Sequence, residues 1–76
     1  MENIPNGIYE HYKGKRYEVI GIAHHSETLE PLVIYKALYE TRFGMDSLWV
    51  RPLAMFKEMV LVNGHEVPRF SYLGGK

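Results

Sequence analysis

The chain contains no cysteine, so neither a disulfide bond nor a thiolate metal site can stabilise it. It also lacks an excess of charge, because nine Lys and Arg residues balance nine Asp and Glu residues. A neutral chain has no long-range field with which to attract the phosphates of a nucleic acid. No apolar run approaches membrane-spanning length, and residues 1–5 lack the basic start and apolar centre of a signal peptide. We therefore expect a cytoplasmic protein without a membrane partner.

What the chain has instead is a high content of large apolar side chains. Hydrophobic residues make up 46% of its 76 residues, and the aromatic ones are six Tyr, three Phe and one Trp. A core of this size rarely supplies more than about 3–5 kcal/mol of net stability, which leaves weak self-association open. No linker or repeat divides the sequence. We predict a single domain over residues 1–76, with its core at about 7–70 and flexible termini.

Short runs rich in Val, Ile and Tyr, bounded by turn residues, are typical of antiparallel strands. The run over residues 16–24 changes phase near Gly21, which indicates a bulge that bends the strand. Leu53 and Phe56 stand one turn apart and favour a short helical turn within residues 53–58. The predicted fold is all-β: a small SH3-like antiparallel barrel of five or six strands with this one helical turn. The alternative is an open, twisted sheet packed against the turn.

Two hairpin turns and a core follow from the same pattern. Asn63-Gly64 is typical of a type I′ turn, which would place Val60 opposite Val67. A two-residue turn at Gly14-Lys15 would place Tyr12 opposite Tyr17. The residues predicted to form the core are Val19, Ile22, Val33, Ile34, Tyr35, Leu48, Val50, Leu53 and Phe56.

A polar loop between two apolar strands is the best candidate for a binding site. Residues 25–28 concentrate an imidazole, two hydroxyls and a carboxylate where the strands would hold them in place. Trp49 and Arg51 share one face of the fourth predicted strand. The candidate ligand-binding residues are therefore His25, Ser26, Glu27, Thr28, Trp49 and Arg51. The competing interpretation is a self-satisfied turn, in which hydroxyls bind backbone amides and Arg51 neutralises Glu27.

The sequence predicts no metal site, cofactor or catalytic residue. His24 and His25 are adjacent and point to opposite faces of a strand, and no helical pair of histidines supplies the usual ligand spacing. His25, Ser26 and Glu27 contain the elements of a catalytic triad. Side chains that project alternately from one short loop rarely make the chain of contacts that a triad needs.

Several sequence blocks also occur together, in this order, in a known family. They are His11-Tyr12-Lys13-Gly14, Tyr17-Glu18-Val19, His25-Ser26-Glu27-Thr28, Leu38-Tyr39, Trp49-Val50-Arg51-Pro52, Met55-Phe56 and Pro68-Arg69-Phe70. Over about residues 7–70, the chain resembles the small bacterial family called domain of unknown function 1653. The resemblance implies a small, mostly β domain and implies no activity.

Three functions remain open at this point. The first is a non-catalytic interaction module that binds a protein segment or a small polar ligand through the 25–28 loop and neighbouring aromatic residues. The second is a single-stranded nucleic-acid-binding barrel, which would use Trp49, Arg51 and the basic turn at residues 13–16. The third is a small metal-dependent enzyme or a fragment of an enzyme.

Overall fold

The computed structural model describes residues 4–75, which form seven β-strands and one short helix. The elements are β1 (Gly7–His11), β2 (Arg16–His24), β3 (Pro31–Ala37), β4 (Leu48–Pro52), α1 (Leu53–Phe56), β5 (Met59–Val62), β6 (His65–Pro68) and β7 (Phe70–Gly74). Five strands form an antiparallel sheet in the order β4-β3-β2-β1-β7, while β5 and β6 form a separate hairpin. The predicted all-β class is confirmed. Within residues 4–75, no helix has the length and hydropathy needed to cross a membrane.

The five-stranded sheet is curled but open. A register shift between Val19 and Gly21 confirms the predicted bulge in β2, and a bulge of this kind bends a strand. The curl brings the edge strands β4 and β7 close enough for the guanidinium of Arg51 in β4 to lie over the ring of Phe70 in β7. Residues 4–75 nevertheless form no hydrogen-bonded ladder between these two edges. The SH3-like barrel is therefore not confirmed, and the described chain forms an open, bent sheet packed against α1.

The seventh strand arises because the chain changes sheets at Arg69. The Arg69 amide donates to the Glu58 carbonyl beside the β5–β6 hairpin, whereas the Arg69 carbonyl accepts from the Tyr12 amide beside the main sheet. Residues before Arg69 therefore pair with β5, and residues after it pair with β1. The sequence predicts a flexible C-terminal tail after about residue 70, but residues 70–74 form β7, in which Gly74 pairs with Ile8. The last predicted tail residue, Lys76, lies outside the described residues.

The two predicted hairpins have different outcomes. Val60 pairs with Val67, and Asn63 and Gly64 have φ angles of 52° and 82°, which confirms the tight turn. The first hairpin forms in another register, since Tyr17 pairs with Tyr9 and not with Tyr12. The reason is a longer turn, in which the Gly14 amide donates to the His11 carbonyl and the His11 amide donates to the Lys15 carbonyl.

The core lies between the concave face of the sheet and α1. Five of the predicted core residues are buried, namely Val19, Val33, Tyr35, Leu53 and Phe56, and they are joined by Tyr9, Ala37 and Phe70. Leu48 and Val50 are 63% and 60% exposed, so their predicted burial is wrong. The register explains this, because Trp49 pairs with buried Tyr35 and Arg51 pairs with buried Val33. Paired residues share a face of the sheet, which turns Leu48 and Val50 outward.

Candidate functional site

Strand β4 directs Arg51 and Trp49 toward the concave face of the sheet. Both residues pair with buried residues of β3 and are themselves half-buried. The Trp49 indole donates to Ser47 Oγ at 3.0 Å and packs edge-on against Phe43, at 5.6 Å between ring centroids. Ser47 Oγ also lies 3.0 Å from Thr41 Oγ1. The 41–47 loop is therefore built around Trp49, which fixes the orientation of the indole.

The guanidinium of Arg51 is held by an aromatic ring and not by an acid. Its Cζ lies 5.5 Å from the centroid of Phe70, which itself stacks face to face on Phe56 at 4.1 Å. Among residues 4–75, no side chain forms a hydrogen bond or an ion pair with Arg51. Cation–π contact orients a guanidinium without using its N–H donors. The N–H donors of Arg51 therefore have no acceptor among the side chains of residues 4–75.

Tyr17 lies near enough to Arg51 to be affected by its charge, and Tyr39 contacts Tyr17. The ring of Tyr17 is 5.8 Å from the ring of Phe70, and its hydroxyl oxygen lies 2.5 Å from that of Tyr39. Burial, followed by the hydrogen bond to Tyr39, raises the pKa of Tyr17 far above its ordinary value. Each phenol carries one proton and the pair uses one of them in its mutual bond, so one proton remains to be donated elsewhere. Lys15 Nζ lies over the Tyr39 ring at 4.9 Å from its centroid.

His11 completes the arrangement from β1. Its ring meets Phe70 edge-on at 5.0 Å, and its Nδ1 accepts a hydrogen bond from the Lys13 amide at 3.2 Å. Nε2 is therefore the protonated nitrogen of the neutral ring. Burial lowers the pKa of His11 below its ordinary 6.5, and the cations Arg51, Arg69 and Lys13 lower it further. We call His11, Tyr17, Tyr39, Arg51 and Phe70 the Arg51 cluster.

Charge around the Arg51 cluster is unbalanced. The nearby acid Glu58 is already engaged, since its Oε1 accepts from Arg69 Nη2 at 2.8 Å. Within the described chain, no carboxylate forms an ion pair with Lys13, Lys15 or Arg51. The cluster and the neighbouring Lys13 and Lys15 therefore combine cations, hydrogen-bond donors and aromatic rings, a combination suited to holding an anion.

The predicted 25–28 loop is ordered by its own hydrogen bonds. His25 Nδ1 accepts from the Glu27 and Thr28 amides at 3.1 and 3.3 Å, and Thr28 Oγ1 accepts from the Glu30 amide at 3.3 Å. Leu29 completes the turn with a φ of 65°. The side chains of Ser26 and Glu27 are exposed and form no hydrogen bond with any residue in the 4–75 range. In this part of the chain, Glu27 forms no ion pair with Arg51 either.

The predicted binding residues therefore include one member of the Arg51 cluster and omit the other four. Arg51 belongs to the cluster and Trp49 is its neighbour on β4, whereas His25, Ser26, Glu27 and Thr28 lie in the separate loop. His11, Tyr17, Tyr39 and Phe70 are missed, because strand pairing and sheet curvature bring them together from distant parts of the chain. The signal for two of them is the odd-numbered alternation that places His11 and Tyr17 on the same face as Tyr9. No three His, Asp or Glu side chains of residues 4–75 gather as metal ligands would.

Two comparisons place this structure among known proteins. A family model described as "Protein of unknown function (DUF1653)" matches residues 7–72. The structure is also similar to the crystal structure of a DUF1653 protein from Bordetella bronchiseptica, with 37% sequence identity and a TM-score of 0.86. That alignment covers 100% of this chain and 95% of the Bordetella chain. No curated protein matches the sequence.

Proposed function

Because the chain belongs to the DUF1653 family of proteins of unknown function, we propose a function from the site itself. The domain is a non-catalytic binding module, and its ligand carries an anionic group that Arg51 binds. The ligand is a protein segment or a small polar molecule. The lack of cysteine is consistent with the reducing cytoplasm, where we place the protein.

The observation that carries this proposal is the position of Arg51. A half-buried charge loses part of its hydration, and proteins ordinarily compensate that loss with a carboxylate partner. Arg51 has a cation–π contact with Phe70 and no acidic partner in the described chain. An anionic ligand would supply the missing negative charge, and it would accept hydrogen bonds from the free N–H groups of Arg51. A planar or tetrahedral anion can accept two of these hydrogen bonds at once.

Trp49 supplies the second part of the proposed contact. Its ring is half-buried, held by Ser47 and Phe43, and two residues from Arg51 on the same face of β4. An oriented ring next to an oriented cation holds an apolar part of a ligand beside its charged group, at little cost in side-chain entropy.

The 25–28 loop is proposed to contact the ligand as well, separately from Arg51 and Trp49. The internal hydrogen bonds of His25 and Thr28 hold the backbone in place, and they leave the exposed side chains of Ser26 and Glu27 unbonded within the described chain. A rigid backbone with free polar side chains suits recognition. The Ser26→Ala, Glu27→Gln double variant tests this part. We expect weaker ligand binding with an unchanged melting temperature, and a lower melting temperature with unchanged binding would show that the loop is purely structural.

The Arg51 contact is tested by fragment screening with NMR detection. A panel of small carboxylates, phosphates and aromatic acids is titrated into 15N-labelled protein, and the Arg Nε–Hε signals are followed. We expect saturable shifts of the Arg51 signal, and we expect Arg51→Gln to abolish binding.

Arg42→Gln is the matched control, since Arg42 is an exposed arginine over a ring, with its Cζ 5.1 Å from the Phe43 centroid. This variant should bind as the unmodified protein does. Equal binding by the Arg51→Gln variant, or shifts confined to Arg42, would overturn the proposal.

A further inference from the structure

We infer that the group bound by the Arg51 cluster is a tetrahedral dianion of the phosphate-ester type, and that His11 takes up a proton when it binds. This inference rests on the proposed function and adds the chemical class of the ligand and the pH dependence of its binding.

The Arg51 cluster offers more hydrogen-bond donors than a small monoanion needs. Arg51 contributes its guanidinium, the Tyr17–Tyr39 pair contributes one free phenolic proton, and His11 contributes Nε2–H. Lys15 adds an ammonium at the Tyr39 ring. A carboxylate has two oxygen atoms with which to accept these donors. A phosphate monoester has three terminal oxygens arranged tetrahedrally, which lets donors from β1, β2 and β4 bind at once.

The positive charge around the Arg51 cluster exceeds one unit. Arg69 is neutralised by Glu58, but Arg51, Lys13 and Lys15 form no ion pair with any carboxylate of the described chain. More than one uncompensated cation favours a dianion over a monoanion, because each additional unit of opposite charge adds a Coulomb attraction.

His11 lies among cations. The charged groups that face it are Lys13 from the turn after β1, Arg51 from β4, and Arg69, whose charge is partly offset by Glu58. Its other polar neighbour is Tyr12, with ring centroids 4.6 Å apart. Burial, and after it these cations, disfavour protonation of His11 in the free protein. A bound dianion would cancel the effect of the cations and attract a proton to the imidazole, so binding should strengthen as the pH falls.

Sulfate is the sharpest probe, because it remains a dianion throughout the range from pH 5.5 to 8. Any pH dependence of its binding therefore comes from the protein. Sulfate, inorganic phosphate, methyl phosphate and acetate are titrated at constant ionic strength, and the Arg51 Nε–Hε and His11 ring nitrogen signals are followed. We expect sulfate to bind more tightly than acetate, and more tightly at pH 5.5 than at pH 8. If bound sulfate makes protonation of His11 about tenfold more favourable, the pH effect is several-fold and has an upper limit of about tenfold. Inorganic and methyl phosphate at pH 8 distinguish free phosphate from an ester as the source, since an ester-specific site binds methyl phosphate more tightly.

His11→Asn is the decisive variant. An Asn side chain can accept the Lys13 amide as His11 Nδ1 does, so the turn is preserved while the titratable group is removed. We expect this variant to bind sulfate with the same affinity at pH 5.5 and 8, and Arg42→Gln to keep the full pH dependence. If the His11→Asn variant does not fold, the pKa of His11 is measured in the unmodified protein by NMR titration of its ring, with and without sulfate. The pKa should be higher when sulfate is present.

The outcomes separate this inference from the proposed function. If acetate or an aromatic acid binds at Arg51 as tightly as sulfate, or if sulfate binding is independent of pH, the inference is wrong and the binding module remains. If no anion or fragment shifts the Arg51 signal, both are wrong.

Discussion

Arg51 and Phe70 lie on opposite edge strands of the five-stranded sheet, yet the guanidinium carbon of Arg51 is 5.5 Å from the centroid of the Phe70 ring. This contact shows how far the sheet curls, because only strong curvature brings β4 and β7 together on the concave side. It also links the fold to the site. Phe70 stacks on Phe56 beneath the arginine, so the core supplies the platform on which the candidate ligand-binding cation rests.

Phe56 holds that platform together, and its removal should unfold the protein. Phe56 is 2% exposed, and its ring contacts those of Tyr9, Tyr35 and Phe70. We expect Phe56→Ala to cost about 3–5 kcal/mol, which equals the whole stability of a domain this small. The neighbouring Met55 is 45% exposed, so Met55→Ala is the control and should leave a cooperative urea transition. A cooperative transition for Phe56→Ala would place α1 outside the core.

The stability of the turn at Asn63-Gly64 should depend on the backbone conformation of Gly64 and not on the space around it. Gly64 has a φ of 82°, and a Cβ added there would meet no atom within 4 Å. Gly64→Ala should therefore destabilise the protein by about 1–2 kcal/mol, the cost of the left-handed conformation for a residue with a side chain. Gly21 has equal space without a positive φ, so Gly21→Ala should be neutral or slightly stabilising. Equal stability of the two variants in urea would contradict the turn geometry.

The ordered conformation of the 25–28 loop should depend on the hydrogen-bond acceptor of His25. Its Nδ1 binds two backbone amides, at 3.1 and 3.3 Å. We expect His25→Ala to lower the free energy of unfolding by about 0.5–1.5 kcal/mol, the net value of an ordinary hydrogen bond. His25→Asn retains an acceptor at a similar position and should recover most of that loss. Both variants are measured by urea unfolding, and an Ala variant as stable as the Asn variant would show that the acceptor does not order the loop.

Stability should fall at low pH because of His11. Burial and neighbouring cations lower the pKa of His11 in the folded protein below its ordinary 6.5, so the unfolded chain binds the proton more strongly. Stability from this group is complete above pH 6.5 and is lost as the pH falls toward the pKa of the folded state. We expect the decrease in unfolding free energy between pH 8 and pH 5.5, measured in sodium chloride, to be smaller for His11→Asn than for the unmodified protein. Equal decreases would mean that neither burial nor these cations lower the pKa of His11.

Local features of the fold could be predicted from the sequence, whereas long-range ones could not. The β2 bulge, the Asn63-Gly64 turn and the helical turn at residues 53–56 depend on neighbouring residues, and the structure confirms them. The seventh strand depends on Arg69, whose two backbone groups bind different sheets. The openness of the sheet depends on the relation between β4 and β7, which no local pattern specifies.

The candidate site follows the same division. Alternation along β4 correctly puts Trp49 and Arg51 on one face, but it does not tell which face is buried. The exposed Leu48 and Val50 are more apolar than Trp49 and Arg51, and Val50 pairs with Ile34. Hydrophobicity alone therefore predicts burial of the wrong face of β4. His11, Tyr17 and Phe70 come from three other strands, and their meeting with Arg51 requires the register and the curvature of the whole sheet.

The most direct test of anion binding by Arg51 is the unfolding free energy of Arg51→Met, measured in sodium chloride and in sodium sulfate of equal ionic strength. Methionine preserves the apolar stem, and the lost cation–π contact costs only about 0.5–1 kcal/mol. We therefore predict nearly equal stability of the two proteins in chloride. In sulfate the unmodified protein should gain more stability than the variant, by about 1.4 kcal/mol when sulfate is tenfold above its dissociation constant. A large loss of stability in chloride would show that Arg51 is part of the architecture, and an equal gain of both proteins in sulfate would contradict a sulfate site at Arg51.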